Sequence, residues 1–125
     1  LSDAGFEVET ASLSSVHLSE ELISQIFQNL ISNVLRYASH SKQPKLWICE
    51  ARSHQQKLCW VIEDNGPGIP DQHKEAIFQP YDTSPGSKGQ HMGLHLLKTT
   101  LQENAVNIWV EDRSGGGARF VIEFP

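Results

Sequence analysis

Asp64-Asn65-Gly66-Pro67-Gly68-Ile69-Pro70 is the stretch of this chain best equipped for chemistry. It follows an apolar run, Leu58 to Ile62, that reads as a strand, so a carboxylate stands at the strand's end. Glycine lets backbone approach a ligand closely, because no side chain intervenes. A fixed Asp beside such a loop can accept a hydrogen bond from an amino group, such as the one on adenine. The same residue types are also ordinary turn chemistry.

A second constellation lies upstream. Asn29, Asn33 and Arg36 share a narrow arc, on the side opposite the apolar stripe, if residues 19 to 38 form a helix. An amide oxygen is a good neutral ligand for Mg²⁺, which prefers hard oxygens and keeps several waters while also binding phosphate. Arg36 adds positive charge one turn on. The plain alternative is a polar face turned to solvent, although Asn in mid-helix is unfavourable by propensity. Downstream, Gly93 and Leu94 open a second helix, whose first N–H groups suit phosphate. Ser87, Lys88 and His91 precede it, either as phosphate contacts or as solvated loop residues. Of six histidines, only His91 and His95 stand at helical i, i+4 spacing, with no third ligand nearby in sequence, so a structural metal is not expected.

These residues need elements to position them. Residues 5–10 alternate apolar and polar, as an edge strand does. Residues 11–18 read as a connection. Ser19 is placed as an N-cap, with Glu20 and Glu21 in the first turn, where the helix dipole favours acids. The helix should run to about Ala38, burying a broad stripe from Leu22 to Leu35. Two strands follow, 45–51 and 57–63, joined as a hairpin through a polar turn. A short helix fits 70–77. Residues 79–91 read as a mobile loop rich in Gly, Pro, Ser and Lys, 92–103 as a helix, and 106–111 and 118–124 as strands around a glycine turn. The pattern predicts an α+β fold: a mixed sheet covered on one face by helices.

Four segments, in order, resemble the N, G1, F and G2 boxes of the ATP-binding domain of sensor histidine kinases. They are Asn29-Leu-Ile-Ser-Asn33-Val-Leu-Arg36-Tyr37, Asp64 to Pro70, Ile77-Phe78-Gln-Pro-Tyr81 and Gly89-Gln-His-Met-Gly93-Leu94. The wider superfamily includes gyrase B, the MutL repair proteins and the ninety-kilodalton heat-shock chaperones. The resemblance runs from about residue 19 to the end of the chain. It implies a two-layer α/β sandwich of the Bergerat type, with a mixed five-stranded sheet, about three helices on one face and an ATP lid over about residues 79–92. It implies ATP and Mg²⁺ as cofactors, with Asn33 holding the metal that bridges the phosphates. Asn29 would support Asn33 or face the phosphates. With Arg36, these two form the catalytic set. Tyr37 would lie against the adenine or sugar. Asp64 would receive the adenine amino group, Gly66 and Gly68 would let the loop close over the base, and Ile69 would pack near it. Phe78 is the F-box aromatic. Lys88, Gly89, His91, Met92, Gly93 and Leu94 complete the implied nucleotide contacts.

Two departures stand out. The G2 box of the family reads Gly-x-Gly-x-Gly-Leu, and His91 takes the place of the middle glycine. The family often has Gly-Thr near the C-terminus, the hydroxyl supporting the G1 Asp; here the pair is Gly117-Ala118, so that support is absent or comes from another residue. The superfamily's hydrolases carry a Glu as general base one turn before the N-box Asn. Asn29 in that place favours phosphoryl transfer to a protein over hydrolysis.

The 125 residues make one domain, 1–125, by size. Ten basic against fifteen acidic residues give a net charge of −5, which argues against a nucleic-acid or membrane-surface binder. No apolar run approaches the ~20 residues of a membrane span, and a cytoplasmic setting is expected even if the parent is membrane-anchored. Cys49 and Cys59 fall in strand-like runs and read as reduced core residues. A chain that begins at Leu1 reads as a piece of something longer. The resemblance then implies transfer of the ATP γ-phosphoryl group to a histidine on a dimerisation and phosphotransfer domain of the same parent, with a response regulator beyond it. The isolated domain is expected to be a monomer. A nucleotide-binding regulatory module without transfer activity, suggested by His91, and an anti-sigma-type serine kinase are the alternatives.

Overall fold

The computed structural model describes residues 7–38, 43–80 and 92–125, without the side chains of Glu7, residues 35–38 and Met92. Five strands form one mixed sheet: β1 (Glu7–Thr10), β2 (Lys45–Arg52), β3 (Leu58–Asp64), β4 (Asn107–Asp112) and β5 (Ala118–Glu123). Their order is β1-β2-β3-β5-β4. β1 runs parallel to β2, with Glu7 opposite Lys45, and every other pairing is antiparallel. The β2–β3 hairpin turns at 53–57, where Gln56 takes a left-handed φ of 63° and donates its N–H to Ser53 O.

Helix α1 (Glu20–Ala38) starts where its chemistry says it should. The Ser19 hydroxyl accepts the N–H of Leu22 at 3.1 Å, which satisfies one of the helix's free first-turn donors. Leu22, Ile26, Leu30 and Val34, spaced three or four apart, are buried. Helix α2 (Met92–Glu103) buries Leu94, Leu97 and Leu101 by the same spacing. It ends in a Schellman-type turn: Ala105 takes a φ of 61° and Val106 N–H reaches back to Leu101 O.

Both helices share one core with Leu46, Ile48, Trp60, Ile62, Ile108, Val110, Phe120 and Ile122 of the sheet. Those positions alternate along their strands, so they lie on one face. Trp60 stacks on Phe27 of α1 and meets Phe124 edge-on. The opposite face carries a smaller cluster of Cys59, Val61 and Val121, with Cys49, Ala51 and Trp109 against it, and both cysteines are free thiols.

The short helix expected over 70–77 is two successive 3₁₀ turns, Asp71–His73 and Ala76–Phe78. Gln79, which precedes Pro80, is extended (φ −85°, ψ 156°), because a residue before proline is driven out of the helical region. Ile77 and Phe78 are nevertheless buried, so the turns cover the sheet where a third helix would. Among the described residues no helix is long and apolar enough to cross a membrane.

Candidate functional site

Asp64 ends β3 opposite Leu46 and therefore points to the helix-bearing face. Only 4% of it is exposed. Its Oδ1 accepts two backbone N–H groups, from Gly66 at 2.8 Å and from Ala118 at 3.2 Å. Both bonds go to the same oxygen, which leaves Oδ2 to receive a donor. Burial pushes the Asp64 carboxyl above the ordinary carboxylate range. The two N–H bonds and the charge of Arg113 pull it part of the way back. The support that a Thr hydroxyl would give at position 118 comes instead from the backbone N–H of Ala118 itself.

The loop after Asp64 is held on three sides. Gly117, at a φ of 109°, lets the β4–β5 turn cross against Asp64: a Cβ there would sit 1.8 Å from the Asp64 carbonyl oxygen. Gly68 has a φ of 79°, and a Cβ on it would lie 3.4 Å from Gly117 O. The Asn65 amide bridges to the start of β2, accepting Lys45 N–H at 2.7 Å and donating to Gln43 O at 2.8 Å. The Lys74 ammonium donates to Ile69 O at 2.8 Å and pairs with Asp71 and, at 2.9 Å, with Asp112. Ile69 is buried in the main core, so the loop's end is anchored by packing as well. Sequence reasoning missed Asn65 and Lys74 as supports of this loop, and tied Gly117-Ala118 to Asp64 only through the family resemblance. The 114–117 glycine run signalled a turn, but its own residues carried no sign of the bond from Ala118 N–H to Asp64, 54 residues away.

Asn33 lies on α1 and is only 6% exposed, so it does not stand on a side opposite the apolar stripe, as expected, but is buried beside Leu30 and Val34. Its Oδ1 is buried, with no hydrogen-bond partner among the described residues. A buried unpaired amide oxygen costs about 1–3 kcal/mol, a cost that a bound ligand would offset. A hard divalent cation fits this donor, since the oxygen is neutral and no donor among the described residues occupies it. Asn29, one turn earlier, uses its amide differently: Nδ2 donates to the carbonyl of Gly93 at 3.4 Å, linking α1 to the first turn of α2. A Cβ on Gly93 would be 3.2 Å from Asn29 Oδ1, so glycine lets the two helices approach there. Leu94 is buried, and Phe78 packs edge-on against Phe120 at 6.4 Å. Of the other expected site residues, Arg36 and Tyr37 lie on α1 and Met92 opens α2, with their side chains outside the described residues. Ser87, Lys88, Gly89 and His91 also lie outside them.

With this geometry in view, comparison with known proteins is informative. Residues 19–125 match the family described as histidine kinase-, DNA gyrase B-, and HSP90-like ATPase. The phytochrome-like protein Cph1 of Synechocystis sp. is 35% identical over 130 residues, covering 100% of this chain and 17% of that protein. The adaptive-response sensory kinase SasA of Crocosphaera subtropica is 34% identical over 113 residues, covering 88% of this chain and 29% of that protein. The chain therefore spans under a third of the length of these relatives. Among solved structures, full-length ShkA in complex with AMPPNP superposes with a TM-score of 0.78 at 20% identity, over 99% of this chain and 26% of that one. The catalytic domain of the histidine kinase ThkA, in a nucleotide-free form, gives a TM-score of 0.74 at 25% identity, over 99% of this chain and 82% of that one.

Proposed function

Because the chain belongs to the family of histidine kinase-, DNA gyrase B-, and HSP90-like ATPases, we propose that it is the ATP-binding catalytic domain of a two-component sensor histidine kinase. The observation that carries this reading is Asp64: one oxygen pinned by two backbone N–H groups, the other left for a donor, beside a loop clamped from three sides. A carboxylate held that rigidly discriminates by hydrogen bonding, and the adenine amino group is the donor it suits.

Asn33 would hold Mg²⁺ through its orphaned Oδ1. When bound, the metal neutralises charge on the nucleotide's phosphates. The chain's own residues then orient the substrate. Asp64 fixes the base, Gly66 and Gly68 keep the loop close to it, and the first N–H groups of α2 face the phosphates. Asn29 ties α2 to α1 through Gly93 O, so the phosphate end and Asn33 are set relative to each other. Arg36 adds positive charge, and Tyr37, Ile69, Lys88, Gly89, His91, Met92 and Leu94 complete the contacts. In the transfer, an imidazole nitrogen of a separate dimerisation domain forms the new bond to the γ-phosphorus. The bond to the bridging oxygen breaks, and ADP departs. The protein contributes mostly positioning and charge stabilisation. The donor would be ATP, the acceptor a histidine of the same parent, and the onward recipient a response regulator.

Asn29 stands where a hydrolase would place its general base. Its amide, bonded to Gly93 O, has no basicity with which to activate water. The test is to supply this chain with labelled MgATP and the dimerisation domain of its own parent. Acid-labile label should appear on a histidine of that domain, with little phosphate released by the chain alone. Rapid magnesium-dependent phosphate release without histidine labelling would contradict the kinase reading and favour a hydrolase.

A further inference from the structure

We propose that His95 is a positioning residue that seats the first turn of α2 for the phosphate end of the nucleotide, an inference that rests on the nucleotide reading above. His95 Nδ1 donates its hydrogen to the carbonyl of Phe78 at 3.2 Å. That acceptor is firmly placed. Phe78 closes the second 3₁₀ turn, is buried, and packs edge-on against Phe120, which is fully buried in β5. One turn along α2, the Lys98 ammonium lies 4.9 Å from the centre of the Phe78 ring, a second tie between the same two elements. On its other side, the first turn of α2 is held by the Asn29 amide through Gly93 O.

Two side-chain-to-carbonyl bonds from different elements thus grip one helical turn. That turn carries N–H groups with no partner inside the helix, the groups an anion uses. Losing either grip lets the turn rotate or slide, which moves those donors while leaving Asp64 untouched. His95 therefore bears on the phosphates and not on the base. The bond also fixes the ring: a neutral imidazole must carry its hydrogen on Nδ1 to make it.

The test is calorimetry on this chain with ADP and adenosine as probes, in the presence of Mg²⁺, for wild type, His95→Leu and His95→Asn. The Asn amide nitrogen reaches about where Nδ1 stands and restores the donor. His95→Leu should lower the preference for ADP over adenosine by about fivefold, the worth of one ordinary hydrogen bond, with adenosine affinity unchanged. His95→Asn should keep the wild-type preference. Three results overturn the proposal: an unchanged preference in His95→Leu, an equal loss in His95→Asn, or a parallel fall in adenosine affinity, which would mark a merely structural role. If the variants do not fold, nitrogen NMR of the wild-type ring decides. An Nδ1–H tautomer supports the bond, and an Nε2–H tautomer overturns it. A wild type that binds neither probe counts against the nucleotide reading, and the tautomer still reports on His95 separately.

Discussion

Asp64 is more expensive to the free fold than its place in a hydrogen-bonded loop suggests. Its carboxyl is buried and its pKa is raised, burial being the largest cause. A carboxyl raised on folding adds stability that is fully present below the unfolded pKa and lost as pH rises through the folded one. At neutral pH the ionised group is therefore kept against the interest of the empty protein. Asp64→Asn retains an oxygen for Gly66 and Ala118 N–H and removes the buried charge. It should raise the melting midpoint of the ligand-free chain at pH 7, while weakening ADP by about tenfold to hundredfold, the worth of about 1.5–3 kcal/mol for a hydrogen bond to a charged group. The pH dependence follows the same group. Wild-type ADP affinity should hold at neutral pH and weaken as pH falls through the raised Asp64 value, and the Asn variant should lack that fall. Asn33 has the converse problem, a buried oxygen with no donor. Removing Mg²⁺ with a chelator should weaken ADP in the wild type. In Asn33→Ala, titrations with and without chelator should coincide, and a variant that keeps its metal dependence would place the cation elsewhere.

At the scale of elements, the loop after β3 and the β4–β5 turn behave as one part. Gly117 is the hinge of that union, since any side chain would drive into the Asp64 carbonyl. Gly117→Ala combines this clash with a φ of 109° that alanine rarely adopts, a strain of about 1–3 kcal/mol before the clash is counted. Thermal or denaturant unfolding should show a loss at least that large, together with weakened nucleotide binding. A variant as stable as wild type would mean the turn has another way past Asp64. Much of the framework was legible beforehand because its signals are local. The α1 stripe from Leu22 to Val34, the Ser19 cap and the alternation in β2 and β4 each declare themselves within a few residues. That the short helical stretch at 70–77 would be two 3₁₀ turns was not legible, because the extended Gln79 and the ties of Lys74 to Ile69, Asp71 and Asp112 are tertiary effects. The clamp on the loop was invisible for a different reason. It is made by backbone N–H and C=O groups, which every residue carries, and by Asn65 and Lys74 meeting partners that only the folded sheet brings near. Asp64, Asn33 and Gly93 stood out as candidate site residues because their types are unusual for their positions. Nothing near Ala118 marked its N–H as the substitute for a hydroxyl.

For the whole molecule, the sheet is the rigid reference and the proposed site is built around one end of it. β3 delivers Asp64 there, opposite the start of β2, and β5 begins there with Ala118. The helices cover the face to which Asp64 points, and Asn29 ties α1 to the first turn of α2 at Gly93. This chain spans under a third of the length of the relatives quoted above, so its proposed role is to hold and present a nucleotide to an acceptor carried elsewhere. That role depends first on recognising adenine. Guanine carries a carbonyl oxygen where adenine carries its amino group, and an oxygen facing the ionised Asp64 gains no hydrogen bond and meets repulsion. The most direct measurement is a parallel calorimetric titration of the wild-type chain with ADP and GDP in Mg²⁺. One ADP should bind per chain, with GDP weaker by about a hundredfold or more, as expected when a buried polar group loses its partner. Equal affinity for the two nucleotides, or no binding of ADP, would contradict the assignment of Asp64 and with it the nucleotide site.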